Sequence, residues 1–347
     1  TRGEIMKIGY IGLGRMGKNM VLRLLEQGTQ VVAWNRSPGP REELSKEAKK
    51  LKKGQNNLTL VSTFNELVMS LRGTTLHPRG EREVTSDYTL GVGKPSGVII
   101  WLMIDAGPAV DEVLKNLVPL LSKGDLIVDG GNSFYKDTLK RVKSLAKKGI
   151  HFMDVGTSGG LEGARNGACL MIGGSREDFE KIEPIAKAAA AKDAFGHFGP
   201  VGSGHFAKMV HNAIEYGMME SIGEGAAILK ASPFNFDLRE VFRVYKNKSI
   251  IDSRLVNWTL NELKVDQELS TISSVIGSAG GSGTKKGEAH WTLELARKMG
   301  VNTPVIKASV KVRDNSDKDK EDSPNGFRNK VVAAMRWQFG GHPVKKS

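Results

Sequence analysis

Cysteine is nearly missing from this chain. Among 347 residues there is one, Cys169, so no disulfide can form within the chain, and a reducing, cytoplasmic setting is expected. A catalytic thiol would call for a histidine and asparagine signature around it, and none surrounds Cys169. Long apolar runs are missing too. A bilayer span needs about 20 apolar residues, and runs such as Val98–Ile104 fall far short. Thr1–Met6 has no secretory pattern, and no membrane association is expected. Aromatic residues are sparse, at 6%. None interleaves with the lysine-rich stretches Lys46–Lys53 and Leu139–Lys148, and no nucleic-acid module signature accompanies the net charge of +13. The basic stretches therefore read as solvated helix faces. Nucleic acid is not an expected partner, and the positive field suits small anionic substrates.

What is present is enough for two domains: 39% of the residues are hydrophobic. Short apolar runs at Met6–Ile11, Val31–Trp34, Val98–Met103, Leu126–Val128 and His151–Val155 read as buried strands, alternating with helical segments such as Lys18–Gln27, which Gly28 can close. That alternation implies βαβ units and a mostly parallel sheet. Thr74–Gly97 interrupts it as a polar insertion, read as a surface loop. From Gly204 onward strand-like runs stop and helical patterns take over, so the expected division is a sheet domain over 1–203 and a helical domain over 204–347. Ser316–Ser323 reads as a charged, solvated segment.

Five motifs carry chemistry. Gly12-Leu13-Gly14-Arg15-Met16-Gly17 follows a strand and opens a helix, the context in which this glycine pattern lets backbone approach a pyrophosphate at a helix N-terminus. It marks a Rossmann-like domain but does not choose between a nicotinamide and a flavin. The second strand ends in Asn35-Arg36-Ser37, where domains that bind NAD place an acid for the ribose hydroxyls. An arginine and a hydroxyl suit a 2′-phosphate instead, hence NADP before NAD. Met103 closes another strand and joins the expected cofactor contacts. In Asp129-Gly130-Gly131-Asn132-Ser133, Asn132 and Ser133 lie beyond a strand's carboxyl end, where ligands bind in open parallel sheets. Ser158-Gly159-Gly160 offers backbone N–H groups and a hydroxyl to an anion. On a helix starting near His205, Lys208, His211, Asn212, Glu215 and Tyr216 share one arc, with Met209, Val210, Ala213, Ile214 and Met218 on the other side. The second set is expected to be buried and the first to form an active-site wall.

Together with Leu161-Glu162-Gly163-Ala164-Arg165 and the run Lys208–Gly217, these motifs resemble decarboxylating 6-phosphogluconate dehydrogenase, in its short bacterial-type branch, over nearly the whole chain. The resemblance implies oxidative decarboxylation of 6-phosphogluconate to ribulose 5-phosphate, a pentose phosphate pathway step, with NADP or NAD and no metal. It implies Lys208 as general base and Glu215 as the acid that protonates the enediol. Asn132, Ser158, Gly159, Gly160, His211, Asn212 and Tyr216 would hold substrate. Lys286, with Lys285 adjacent as the alternative, and Arg313 would bind its phosphate. Arg336 and His342, in a tail ending Phe339-Gly340-Gly341-His342, would reach the site of a partner subunit, making a homodimer or higher homo-oligomer the active unit. A β-hydroxyacid dehydrogenase that does not decarboxylate is the alternative enzyme, and an inactive cofactor-binding scaffold the alternative of another class.

Overall fold

The computed structural model describes residues 6–76, 82–84, 97–276 and 287–340. The chain divides into two compact units, Thr1–Lys208 and Met209–Ser347.

The first unit is built on eight strands: β1 (Lys7–Ile11), β2 (Gln30–Trp34), β3 (Leu58–Leu60), β6 (Ile99–Leu102), β7 (Leu126–Asp129), β8 (His151–Ser158), β9 (Ala168–Gly173) and β10 (Ala190–Gly199). They lie in the order β10-β9-β8-β7-β6-β1-β2-β3. From β3 to β8 every pairing is parallel, while β9 runs antiparallel to β8 and carries β10 parallel to itself. The strands are apolar on both faces. Ile8, Tyr10, Val31, Ala33 and Val128 feed one core, and Ile11, Val32, Leu102, Ile127 and Phe152 the other. Two-residue alternation thus splits each strand between two layers, as a sheet covered on both sides requires. The covering helices are α1 (Arg15–Glu26), α2 (Pro38–Ala48), α3 (Phe64–Leu71), α4 (Pro108–Leu117), α5 (Tyr135–Ala146), α6 (Gly160–Asn166) and α7 (Arg176–Ala189).

β3, β9 and β10 are not foreseen from sequence. β10 is the clearest case: its Lys-Asp-Ala-Phe-Gly-His has no period, its register shifts twice, and Asp193 takes φ +57°. Within Thr74–Gly97, β4 (Thr74–Leu76) pairs antiparallel with β5 (Arg82–Val84), so part of the expected loop is a hairpin. The rest lies outside the described residues.

In the second unit every element among the described residues is helical: the bulk of α8 (Ser203–Ala231), then α9 (Leu238–Tyr245), α10 (Arg254–Val265), α11 (Glu288–Lys298), α12 (Pro304–Asp314) and α13 (Pro324–Gly340). Its core joins Met219 and Ala226 of α8 to Phe242, Val256, Leu260, Val331, Val332 and Met335. Ser316–Ser323 is not merely solvated. Ser316 is buried, its Oγ accepts from the Ile276 N–H at 2.9 Å, and the Asp319 carboxylate receives Arg328 at 2.8 Å and Asn329 at 3.1 Å. Charged residues there find local partners and brace α13.

No helix among the described residues is long and apolar enough to cross a membrane.

Candidate active site

The glycine turn between β1 and α1 divides its labour. Gly12 sits at φ +100°, and a Cβ there would lie 2.3 Å from the Met103 carbonyl oxygen; one on Gly17 would lie 2.0 Å from that of Gly12. Both glycines are demanded by packing. Gly14 is different: a Cβ on it would meet nothing within 4 Å. It caps α1, no side chain satisfies that end, and the first turn carries no acid. The helix dipole favours an anion at this end. The turn is tied to β2 by Asn35, whose Oδ1 accepts the Leu13 N–H at 2.9 Å while its Nδ2 donates to the Ser37 carbonyl and hydroxyl, both at 3.1 Å. Leu13 therefore spends its amide on Asn35 and its side chain in the core. Met16 and Met103 are partly buried against that same core, and Arg15 is exposed. Arg36 is exposed beside this turn and makes no hydrogen bond or ion pair with the described residues. A pyrophosphate on α1 and a 2′-phosphate at Arg36 both fit these residues.

At the end of β7 the two candidates part. Ser133 is buried, its hydroxyl donates to Asp129 at 2.7 Å and receives Arg141 at 3.2 Å, so it serves the turn and not a ligand. Asn132 points outward and is exposed. At the end of β8, Gly159 and Gly160 take φ +115° and +63°, leaving Ser158 at the strand's last position. These are conformations an L side chain would resist.

α8 starts against this strand. The buried Asp154 carboxylate accepts the Gly202 N–H at 2.6 Å and the His205 N–H at 2.7 Å, so a negative charge fills the helix N-terminus. The His205 ring meets the Thr138 hydroxyl at 2.8 Å. The first turn of the helix is thereby fixed ahead of Lys208, which is 6% exposed. Gly156 makes room for it: a Cβ on Gly156 would lie 2.4 Å from that of Lys208.

Further along α8, in the second unit, His211 Nδ1 lies 2.9 Å from Asn212 Oδ1 and 3.9 Å from a Glu215 oxygen, and Asn212 donates to Glu288. Thr292 donates to the Met209 carbonyl at 3.0 Å, fastening α11 to α8. Tyr216 is buried under Arg313, whose guanidinium carbon is 3.4 Å from the ring centroid. Arg313 Nε and Nη2 both donate to Glu220 Oε1 at 3.2 Å. Arg336 is also buried. Burial first, then Arg313, pull its pKa down to about 10, against the favourable charges of Tyr216, Glu215 and Glu220. Burial likewise pushes the Glu220 carboxyl up, with Arg313 opposing.

Two expectations need correction. The polar arc of α8 is not simply opposite a buried apolar face. Lys208 and Tyr216 are buried with Met209 and Ala213, while Ile214 is 54% and Met218 44% exposed. The polar side chains have partners that allow burial, so the packed side is centred near Tyr216. Second, Ser133 is structural. Arg336 lies on α13, which packs its apolar residues into its own unit, and it feels the charges of Arg313, Tyr216 and Glu215 of the same chain. Lys285, Lys286, Gly341 and His342 lie outside the described residues. Asp154, Glu220 and Glu288 are missed by sequence reasoning. Glu220, four residues beyond Tyr216 and so on its side of the helix, continues the row of Lys208, Asn212 and Tyr216. Among the described residues no cluster of His, Cys, Asp or Glu could hold a metal ion.

Two family models match the chain: the NAD binding domain of 6-phosphogluconate dehydrogenase over residues 7–199, and the 6-phosphogluconate dehydrogenase C-terminal domain over residues 204–342. The chain belongs to the 6-phosphogluconate dehydrogenase family. It is 39% identical over 341 residues to YqeC of Bacillus subtilis, a provisional 6-phosphogluconate dehydrogenase, covering 98% of this chain and 100% of that one. It is 32% identical to the NAD(+)-dependent, decarboxylating enzyme of Haloferax volcanii, covering 98% and 99%. Among solved structures, Plasmodium falciparum 6-phosphogluconate dehydrogenase, studied apo, with NADP+ and with 6-phosphogluconate, superposes with a TM-score of 0.74 at 30% identity, covering 95% of this chain and 70% of that one. Other curated relatives of the family are longer, and the chain spans about 60% of their length.

Proposed function

We propose that this chain oxidises and decarboxylates 6-phosphogluconate to ribulose 5-phosphate and CO2, with NADP as the preferred acceptor. The observation that carries the reading is α8, on which Lys208, His211, Asn212, Glu215 and Tyr216 follow one another, with Lys208 buried and Tyr216 stacked under a buried arginine. The nicotinamide, when bound, takes up the hydride. Lys208 removes the proton of the C3 hydroxyl as that hydride departs. The 3-keto acid so formed carries its own electron sink, and loss of CO2 leaves an enediol without help from a metal. Glu215 returns a proton to the enediol carbon. Asn132, Ser158, Gly159, Gly160, His211, Asn212 and Tyr216 orient the sugar acid. Arg313 and Arg336 face its anionic groups, with Lys286 and His342 as further ligands.

The cofactor reading rests on Arg36, exposed and unpaired among the described residues beside the glycine turn. A homo-oligomer belongs to the same reading, supported by the apolar side chains that α8 leaves exposed at Ile214 and Met218.

The test is a pair of parallel assays, with NADP and with NAD, on 6-phosphogluconate and on 3-hydroxyisobutyrate. Reduction of NADP with 6-phosphogluconate alone supports the reading. Turnover of 3-hydroxyisobutyrate without 6-phosphogluconate would assign a non-decarboxylating β-hydroxyacid dehydrogenase. No turnover of either, with cofactor bound, would mean a scaffold.

A further inference from the structure

Glu220 is buried to 2% exposure deep in the second unit, and none of the steps above uses it. Its carboxylate is used lopsidedly. Oε1 receives two N–H groups of Arg313, whereas Oε2, also buried, has no hydrogen-bond partner among the described residues. A buried carboxylate oxygen left without a donor is costly and uncommon, so satisfying Glu220 is not what fixes this arrangement. The arrangement does settle Arg313. A guanidinium presents five N–H donors in one plane. Two of its nitrogens are held by Glu220, and the plane itself is pressed on the Tyr216 ring at 3.4 Å. Arg313 Nη1 makes no hydrogen bond with the described residues, so one edge of the fork is kept aside. Arg336, a second buried cation, feels Arg313 as a repelling charge and Glu220 as an attracting one. Glu220 adds a buried negative charge against both guanidinium groups, beside those of Glu215 and Tyr216 that also favour the charged form of Arg336.

We propose that Glu220 is a positioning residue of the phosphate site: it holds Arg313 flat on Tyr216 so that the Nη1 edge is presented to the phosphate of the substrate, and it balances the Arg313–Arg336 pair until that dianion arrives. The inference rests on the reading of Arg313 as a phosphate ligand. Glu220 touches no reacting atom and acts through Arg313.

The experiment measures kcat, KM for 6-phosphogluconate and KM for NADP in Glu220→Ala, Glu220→Gln, Arg313→Ala and the double variant Glu220→Ala/Arg313→Ala. Glu220→Ala is expected to raise KM for 6-phosphogluconate by about tenfold or more, with KM for NADP within about twofold of the parent. Glu220→Gln keeps an acceptor oxygen for Nε and Nη2 and should restore most of that loss. The double variant should be no worse than Arg313→Ala alone, since a residue acting through Arg313 has nothing left to position. Should Glu220→Ala fail to bind NADP at all, Glu220→Met, similar in length but without an acceptor, replaces it. An unchanged KM for 6-phosphogluconate in Glu220→Ala, with Arg313→Ala impaired, overturns the inference and leaves the role of Arg313 standing. Equal impairment of the alanine and glutamine variants also overturns it. An unchanged KM in Arg313→Ala removes the phosphate reading itself, and the role of Glu220 with it.

Discussion

The two units make their contributions in opposite ways. In the first, the candidate contacts are largely backbone: a glycine turn, an uncapped helix end, and a Ser-Gly-Gly turn at positive φ. In the second they are side chains with charge: two buried arginines, a buried glutamate, a half-buried glutamate and a tyrosine. A backbone site is limited by shape, and its glycines are fixed by what a Cβ would strike. A site of buried charges is limited by electrostatic balance, because each unpaired charge costs several kcal/mol. Substitutions in the two units should therefore fail differently.

The largest effect is expected on α8, where the two units share a helix. Lys208→Met should cut kcat by about 1000-fold while leaving NADP affinity near that of the parent. Steady-state kinetics with a fluorescence titration of NADP separate the two, and near-parental turnover would break the assignment of the base. The next contrast lies within the glycine turn. Gly12→Ala forces a Cβ onto the Met103 carbonyl oxygen at an unfavourable φ and should cost about 3 kcal/mol of stability in a denaturant melt. Gly14→Ala meets only open space, so its melt should match the parent while NADP binding weakens by about tenfold. Equal melts for the two would mean that the turn is not divided between packing and binding.

Arg36→Ala should weaken NADP by about 10- to 100-fold and leave NAD little changed. Equal losses for both would show that Arg36 does not read the 2′-phosphate. The smallest effect has the opposite sign. Arg336→Met removes a buried cation and should raise the melting temperature at neutral pH by a few degrees, roughly 1 kcal/mol, while KM for 6-phosphogluconate rises. The direction in pH follows from the pKa of about 10, depressed below the ordinary arginine value. Between those values the unfolded chain binds more protons than the folded one, so the arginine's penalty is full below about 10 and fades as pH rises through it. The melting-temperature gap should close over the same range. Arg336 is buried in its own chain; if it serves its own site, mixing Arg336→Ala with Lys208→Met restores no activity. Recovery would show that the tail serves a partner.

Where the sequence is legible, burial follows a simple period. β1, the glycine turn and α1, β2, β6 and β7 are recoverable because apolar runs end in Gly, Asn or Asp near where the strands stop. β10 is not, because it is polar and irregular, and β3 is only three residues long. On α8 the residues are found but the buried side is misjudged: Lys208 and Tyr216 look like solvent-facing groups until Gly156 and Arg313 are seen beside them. Glu220 is invisible for the same reason, since a lone carboxylate on a helix is ordinarily at the surface, and only the fold brings Arg313, 93 residues on, to pair with it. Ser133 fails the other way, because its buried partner Asp129 lies in the same motif and takes the hydroxyl.

The central claim is that one chain couples hydride transfer to decarboxylation. The most direct measurement follows CO2 released from 6-phosphogluconate labelled at C1 together with NADPH formed in the same vessel. The account requires one CO2 for each NADPH, with ribulose 5-phosphate as the sugar product. NADPH accumulating without CO2 would contradict it.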